Sequence, residues 1–276
     1  MRKSELTTAD ARFPNYVLMT SRTALTNKYG ANTANVIIDA MQDLSIKITA
    51  LPGWNSVVLV PDDPRIANDL GLTPSLANDA WKLKLALADL DKQLAAKGEM
   101  IGTLLIIGGN DIVPFHQLPN PTDDADTYVP SDNPYATVDD NYFIPQWPVG
   151  RIPDEIGTDP VYLIEQLRYL NSEYALKLKA KTFISGTIFE NWLFNLRESI
   201  SATMQSFKRS EQLGYCAEVW KIPSMEVFNV IDRGDRIQSC PPADSATFLT
   251  KQKSNPRFAY FNLHGLKDAP EWYGQS

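Results

Sequence analysis

Residues that build metal centres and disulfide frameworks are scarce in this sequence. Its 276 residues include two cysteines, Cys216 and Cys240, and two histidines, His116 and His264. The cysteines have no local pairing pattern, so a disulfide framework is not indicated. Neither histidine belongs to an HExxH, CxxC or similar cluster, so the ligand spacing of a metal site is missing. We therefore expect a protein without a cofactor.

Long apolar runs and clusters of basic residues are missing as well. No stretch approaches the roughly 18 apolar residues that span a bilayer. The first ten residues include basic side chains but no apolar run after them, which is not typical of a secretory signal. The formal net charge is -7 at pH 7, and no run of lysine or arginine offers the basic face that phosphate recognition needs. We expect a cytoplasmic protein with neither a membrane nor a nucleic-acid partner.

The chain alternates between short apolar runs of β type and longer helical stretches. This alternation predicts an α/β fold, in which doubly wound parallel sheets are flanked by helices. Residues 16–20, 56–60 and 103–107 are nearly continuously apolar, which is typical of strands buried on both faces.

Helices are predicted between and after these strands. Apolar residues recur at spacings of three and four from Leu76 to Leu94, and Gly98 follows as the end of that helix. A second helix opens at Thr158-Asp159-Pro160 and is expected to end near Lys181.

A second series of elements follows this helix, so the sequence predicts two α/β subdomains, over residues 1–180 and 181–276. In the second series we expect a strand at 182–186, a helix over about 191–213 and strands at 217–220 and 258–263.

The last of these strands ends at His264. In open parallel sheets the functional crevice lies outside the carboxyl ends of the strands. A neutral imidazole there suits proton transfer near pH 7, and the adjacent Gly265 amide is free to stabilise an oxyanion. A structural histidine in a turn is the alternative. For His116, in a loop-like apolar segment, we expect a packed and hydrogen-bonded side chain.

The segment from 108 to 153 is long, loop-like and rich in Asp, Pro and Tyr. Hard oxygen ligands at this spacing leave calcium open as a ligand, but the segment lacks the fixed glycine and the terminal glutamate of an EF-hand. Solvated turns with Asx caps are the simpler interpretation. The acidic residues concerned are Asp123, Asp124, Asp126, Asp132, Asp139 and Asp140.

The two cysteines are weak candidates for a nucleophile. Cys216 leads into an apolar strand, where a cysteine is normally buried and inert. Cys240 lies in a Ser-Cys-Pro-Pro sequence and is expected to be more exposed. Neither follows a strand that comes after His264.

Four short segments stand out by their order: LIIGGNDIVP (105–114), SDNPY (131–135), VGRIP (149–153) and NLHG (262–265). In this order they resemble the bacterial gingipain-like members of the caspase-fold (clan CD) cysteine peptidases. The resemblance covers roughly residues 104–276, while the first hundred residues match only in their alternation of strand and helix.

The resemblance implies a caspase-like, gingipain-type arrangement. Residues 1–180 then form the subdomain without catalytic residues and 181–276 the catalytic one, incomplete after the His-Gly. It implies His264 as the catalytic histidine and Gly265 as an oxyanion-hole donor. The family's nucleophilic cysteine follows the next strand, so we expect it on a C-terminal fragment or a companion chain. The expected substrate is a polypeptide.

Residues for substrate binding follow from the same resemblance. Glu190, Trp192 and Glu198 lie in the region that helps shape the specificity pocket of gingipains, where a carboxylate can pair with a basic substrate side chain. Surface or helix-capping roles are the alternative for each. Separately, Asp268 or Glu271 could orient His264 through its other ring nitrogen.

Two other functions stay open. One is a non-catalytic caspase-like scaffold or regulatory subunit in a bacterial defence or signalling complex. The other is a small-ligand-binding α/β domain that uses the crevice at the strand ends.

Overall fold

The computed structural model describes residues 12–76, 79–120, 127–184, 212–243, 256, 258–266 and 269–274, apart from the side chains of 180–184, 266 and 269–271. The chain divides into two compact units, unit 1 (Met1–Gly186) and unit 2 (Thr187–Ser276). Both combine parallel strands with flanking helices, so the architecture is mixed α/β. Assignment of 1–180 and 181–276 to caspase-like subdomains stays a prediction.

The described part of unit 1 has six strands: β1 (Phe13–Met19), β2 (Asn55–Leu59), β3 (Glu99–Ile107), β4 (His116–Pro119), β5 (Tyr128–Ser131) and β6 (Val149–Ile152). Four of them form a parallel sheet in the order β2-β1-β3-β6, and β4 and β5 form an antiparallel hairpin. The strands predicted from apolar runs are β1, β2 and β3, so these predictions are confirmed. Val17, Leu18 and Ile106 are fully buried, as expected for strands covered on both faces.

Five helices belong to the described part of unit 1: α1 (Arg22–Tyr29), α2 (Ala31–Thr49), α3 (Pro64–Asp69), α4 (Ala80–Ala95) and α5 (Val161–Ile184). An aspartate carboxylate accepts an amide at the start of α3, α4 and α5, namely Asp63, Asp79 and Asp159. Because Asp79 caps α4, Leu76 lies outside the helix predicted for it and is exposed. Gly98 follows α4 at a φ of 74°, as predicted for a helix end.

The helix α5 is longer than predicted. It continues to Ile184, so the strand expected at 182–186 is wrong for residues 182–184, and 185–186 lie outside the described residues. A short apolar run has no period that separates strand from helix, and the Ala- and Lys-rich sequence before it favours helix. Leu163 and Leu167 are fully buried, which ties the first turns of α5 to the core of unit 1.

The described part of unit 2 contains α6 (Lys221–Phe228) and the strands β7 (Leu213–Ala217), β8 (Gln238–Cys240), β9 (Ala259–Asn262), β10 (His264–Leu266) and β11 (Ala269–Tyr273). The strands β8, β7 and β9 form a parallel sheet in that order, while β10 and β11 form an antiparallel hairpin. The strand β9 confirms the one predicted at 258–263.

Two predictions at the start of unit 2 are corrected. Leu213 begins β7 instead of ending a helix, and residues 191–211 lie outside the described residues. The strand expected at 217–220 ends at Ala217, where a 3-10 turn (Glu218–Trp220) begins. All five residues of β7 are buried, so the strand stops where the charged side chain of Glu218 meets solvent.

Small apolar clusters cover the two faces of the sheet in unit 2. Cys216, Phe228 and Ile237 form one cluster, and Leu213, Tyr215 and Ala243 form the other. Among the described helices of the chain, none combines the length and the apolar character needed to cross a bilayer.

Candidate functional site

His264 follows the carboxyl end of β9. In the sheet of unit 2, Ala217 pairs with Cys240 on one side, and Cys216 pairs with Asn262 on the other. The chain leaves β9 after Asn262 and reaches His264 two residues later. His264 therefore lies just after the end of a strand, as the sequence predicts.

The imidazole of His264 contacts two aromatic side chains. Its centroid is 4.1 Å from that of Trp220, with 36° between the planes, and 5.0 Å from that of Tyr273, at 18°. The β10–β11 hairpin sets the second contact, because it pairs His264 with Tyr273. The Nε2 atom is buried and has no hydrogen-bond partner among the described residues. Stacking thus fixes the ring, and a reacting group reaches Nε2 only if a neighbour moves.

Gly265 is exposed and pairs with Trp272 across the same hairpin. Among the described residues, no atom beyond Gly265 and its chain neighbours lies within 4 Å of the position that a Cβ would take there. There is space at this backbone for another group, and the role of the Gly265 amide as an oxyanion donor stays a prediction.

A polar pair and a thiol lie beside the end of β9. The Asn262 side chain donates a hydrogen bond to Ser224 Oγ at 3.0 Å. Cys216 is fully buried, and burial raises the pKa of its thiol although a hydrogen bond with Ser224 lowers it. The burial of Cys216 is as the sequence predicts, and a raised thiol pKa disfavours the thiolate, which is the nucleophilic form.

Cys240 ends β8 on the other face of the sheet. Side chains paired across parallel strands point to the same face, so Cys240 shares a face with Ala217 and Cys216 shares one with Ser239. The two cysteines therefore point apart, and both are free. The backbone of Gly274 packs so closely on Cys240 that a Cβ at Gly274 would collide with the Cys240 carbonyl.

The two units repeat one strand order. The sheet of unit 1 has the order β2-β1-β3-β6, and the sheet of unit 2 has the order β8-β7-β9. In both, the first strand along the chain lies between the second and the third. No strand pairs with the far edge of β9 in the part of unit 2 that the structure describes. The place that β6 takes in unit 1 has no counterpart among these residues.

The strand registers show what stands in the place of His264 in unit 1. Met19, at the end of β1, pairs with Ile106 of β3. Ala217 ends β7, and continuing its register by one residue places Leu263 beside it. His264 and Gly265 therefore correspond to Ile107 and Gly108, and Ile107 is a fully buried core residue.

Three of the four family-like segments converge on Arg151 in unit 1. The guanidinium forms a two-pronged ion pair with Asp132, and its Nη1 donates to the carbonyls of Gly108 at 2.7 Å and Val113 at 2.8 Å. The Phe115 ring lies 4.1 Å from the guanidinium. Arg151 is thus a structural hub. The sequence contains its partners, but no local pattern announces that they meet.

The histidine of unit 1 has a packed position. His116 is 2% exposed and makes T-shaped contacts with Trp81 and Tyr135, at centroid distances of 4.8 and 4.6 Å. The packing is confirmed, but neither ring nitrogen has a hydrogen-bond partner among the described residues. Burial, and next the charge of Lys84, lower the pKa of His116 to about 4, so its imidazole is neutral near pH 7.

The acidic loop residues have different surroundings, and Asp140 is exposed. Asp132 is paired with Arg151, and Asp139 Oδ1 accepts the Asn141 amide at 2.9 Å in an Asx turn. Residues 121–126, which include Asp123, Asp124 and Asp126, lie outside the described residues. Within the described ranges no three His, Cys, Asp or Glu residues are placed to hold a metal ion.

The remaining site predictions fall where the structure gives no side chain. Glu190, Trp192, Glu198 and Asp268 lie outside the described residues, and Glu271 lies in β11 with its side chain undescribed. Trp220 and Tyr273, which contact His264, are neighbours that the sequence reasoning missed. Trp220 is half-buried and Tyr273 is exposed, and neither stands in a sequence pattern that indicates a contact with His264.

Comparison with protein-family models, with curated proteins and with solved structures found no match.

Proposed function

We propose that this chain is the histidine-bearing portion of a caspase- or gingipain-like cysteine endopeptidase. Its nucleophilic cysteine follows a fourth parallel strand, supplied by a C-terminal segment or a companion chain. One observation carries the proposal. His264 follows β9, the third strand in the sheet of unit 2, and in unit 1 a fourth strand, β6, pairs with the corresponding strand β3.

The fourth strand belongs beside β9. In unit 1, β6 pairs with β3 in parallel, from Leu104 with Val149 to Ile107 with Ile152. A strand paired in the same way with β9 ends level with His264, because carboxyl ends of parallel strands meet at one edge of the sheet. Backbone pairing along the edge of a sheet is a common way for a further segment or chain to bind. A cysteine after that strand lies within reach of the imidazole.

The chemistry assigned to this pair is acyl transfer. The thiolate sulfur bonds to the scissile carbonyl carbon, and the C–N bond breaks as the imidazolium of His264 gives its proton to the leaving amine. Water then hydrolyses the thioester. The Gly265 amide stabilises the oxyanion, and Glu190, Trp192 and Glu198 line the substrate pocket in this proposal.

The cysteines of this chain are poor alternatives as nucleophiles. Cys216 is buried with a raised thiol pKa, and Cys240 ends β8, which β7 separates from the His264 strand. Both considerations support a nucleophile from a different segment.

A second function, a caspase-like scaffold without catalysis, is favoured by the aromatic contacts of His264. The rings of Trp220 and Tyr273 both pack against the imidazole, and Nε2 is buried. A histidine that only fills space needs no more than this. The two functions differ in whether the imidazole is needed for cleavage.

Peptide hydrolysis by the natural gene product, isolated with any copurifying fragment, tests the proposal. Fluorogenic peptides with Arg, Lys or Asp before the scissile bond are the substrates. We expect cleavage that iodoacetamide blocks, and we expect His264→Ala to reduce it at least about a hundredfold without changing the circular dichroism spectrum.

His116→Phe is the matched control. It removes the other imidazole but keeps an aromatic ring between Trp81 and Tyr135, so cleavage should be unchanged. Cleavage that is insensitive to His264→Ala, or no cleavage of any peptide, would support the scaffold.

A further inference from the structure

A crevice of about 760 Å³ opens in unit 1, whereas His264 belongs to unit 2. Its lining includes Ser21, which follows β1, and Asn110, which follows β3. The strands β1 and β3 are neighbours, and β2 lies on the other side of β1. The strand order therefore reverses direction at this place, where open α/β sheets bind their ligands.

The start of α1, beside this crevice, is closed to an anion by the chain itself. The carboxylate of Asp62 accepts the backbone amides of Arg22 at 2.9 Å and Thr23 at 2.7 Å. It also accepts the Ser21 hydroxyl at 2.9 Å. Free amides at a helix start are what attract phosphate or carboxylate ligands. Here an internal carboxylate already occupies them.

The one lysine in the lining is also fully used. Lys28 Nζ lies 2.7 Å from Asp154 Oδ2 and 3.2 Å from Asp111 Oδ2, and donates to the Glu155 carbonyl at 3.4 Å. An ammonium has three N–H donors, and these three acceptors take them. Two carboxylates thus surround one cation.

Asp154 is fixed to the wall of the crevice. Its side chain is 4% exposed and accepts hydrogen bonds from the Gly109 amide and the Tyr29 hydroxyl, each at 2.5 Å. A Cβ at Gly109 would collide with this carboxylate. Asp154 is therefore a structural counter-ion for Lys28, and it is not free to bind a ligand.

Asp111 differs from Asp154 because its side chain is 72% exposed. Around it, the side chains of Thr23, Asn27 and Thr158 line the crevice. In the part of the chain that the structure describes, none of these three side chains makes a hydrogen bond. Ile112 and Pro114 add an apolar wall.

We propose that this crevice binds a small organic cation, a primary amine or guanidinium on a short alkyl chain. The exposed carboxylate of Asp111 is the counter-ion, the hydroxyl and amide groups of Thr23, Asn27 and Thr158 accept the N–H donors, and Ile112 and Pro114 contact the alkyl chain. This site is separate from the proposed peptidase chemistry, and its test does not depend on cleavage.

Titration of the full chain with agmatine, followed by ¹⁵N NMR, tests the proposal. Agmatine joins an amine and a guanidinium by four methylenes, 1,4-butanediol is the neutral match of similar length, and inorganic phosphate is the anion. We expect agmatine to shift the amides of Asn27, Asp111 and Thr158, and the diol and phosphate to leave them unchanged.

Asp111→Asn should weaken agmatine binding about fivefold, the size of one exposed ion pair. Asp43→Asn, which removes an exposed carboxylate of α2 outside the lining, should leave it unchanged. The proposal is overturned if agmatine shifts none of these amides, if phosphate shifts them, or if Asp111→Asn binds agmatine as the wild type does.

Discussion

In the residues that the structure describes, unit 1 and unit 2 place the same strand order beside buried apolar clusters of different size. In unit 1 one cluster of buried apolar residues extends from Val17 to Leu167, whereas each face of the unit 2 sheet has a small cluster. The residue at the end of the third strand also differs between the two units. Ile107 is a fully buried core residue, whereas His264 is an imidazole in contact with the rings of Trp220 and Tyr273. The same place in the strand order thus holds an apolar side chain in one unit and a polar one in the other.

The turn after the third strand also differs. In unit 1, Gly108 and its neighbours are fixed by Arg151, whose hydrogen bonds reach two carbonyls and a carboxylate. In unit 2 the hairpin of β10 and β11 follows. The hydrogen bonds of Arg151 hold the turn after β3 in place, whereas the β10–β11 hairpin places Tyr273 against the imidazole of His264.

Arg151→Ala should have the largest effect on stability. It leaves the carboxylate of Asp132, 17% exposed, without its partner, and breaking such a pair costs about 3–5 kcal/mol. We expect faster hydrogen exchange at the amides of β1 and β3, and unchanged exchange at those of β7. Arg151→Met keeps an aliphatic side chain and is the control for packing. It should lower the free energy of unfolding nearly as much as Arg151→Ala. Equal losses in β7 would contradict a role confined to unit 1.

Acid should destabilise unit 1 through His116. Its folded-state pKa of about 4 lies below the ordinary value of about 6.5, so the unfolded chain binds the proton more tightly. Stability is therefore full above about pH 6.5 and falls as the pH drops towards about 4, by up to about 3 kcal/mol. Hydrogen exchange of β1 amides at about pH 7 and pH 4.5 measures this, after correction for intrinsic rates.

His116→Phe should remove that pH dependence, since the ring stays between Trp81 and Tyr135 without a titrating nitrogen. The stabilising effect of the buried Asp154 carboxylate is lost only at lower pH. Burial raises the pKa of Asp154, but hydrogen bonds from Lys28, Tyr29 and Gly109 lower it below its usual range. A wild-type protein equally stable at both pH values would show that His116 is not buried as a neutral side chain.

Tyr273→Ala should have the smallest effect. Tyr273 is 45% exposed, and a stacked aromatic pair contributes about 1 kcal/mol at most beyond its buried area. We expect little change in stability, but faster modification of His264 by diethyl pyrocarbonate, because one face of its ring becomes open. Tyr260→Phe, which keeps the ring beside Phe228, is the control. An unchanged rate would mean that Tyr273 does not shield the imidazole.

The sequence predicted best the features that local chemistry determines. The nearly continuous apolar runs of β1, β2 and β3 need burial on both faces, and Gly98 and Asp159 stand at helix ends in the positions that backbone capping favours. The position of His264 just after a strand was predictable because the apolar run of β9 is short and ends two residues before it.

The features that the sequence did not predict depend on contacts between residues far apart in the chain. Arg151 meets Asp132 over 19 residues and Gly108 over 43, through a segment whose composition indicates only turns. The extension of α5 to Ile184 overrides a short apolar run that fits either element. Tyr273 reaches His264 because the β10–β11 hairpin pairs the two residues, and Trp220 reaches it from the turn after β7. No periodicity in the sequence indicates either contact.

Affinity labelling of the natural protein tests the central claim most directly. A peptidyl chloromethyl ketone alkylates the nucleophile of a cysteine peptidase, and mass spectrometry of the digest locates the adduct. We expect one labelled cysteine outside residues 1–276, with labelling lost in His264→Ala. A label on Cys216 or Cys240, or no labelled cysteine at all, would contradict the proposal that a fourth strand completes the site at His264.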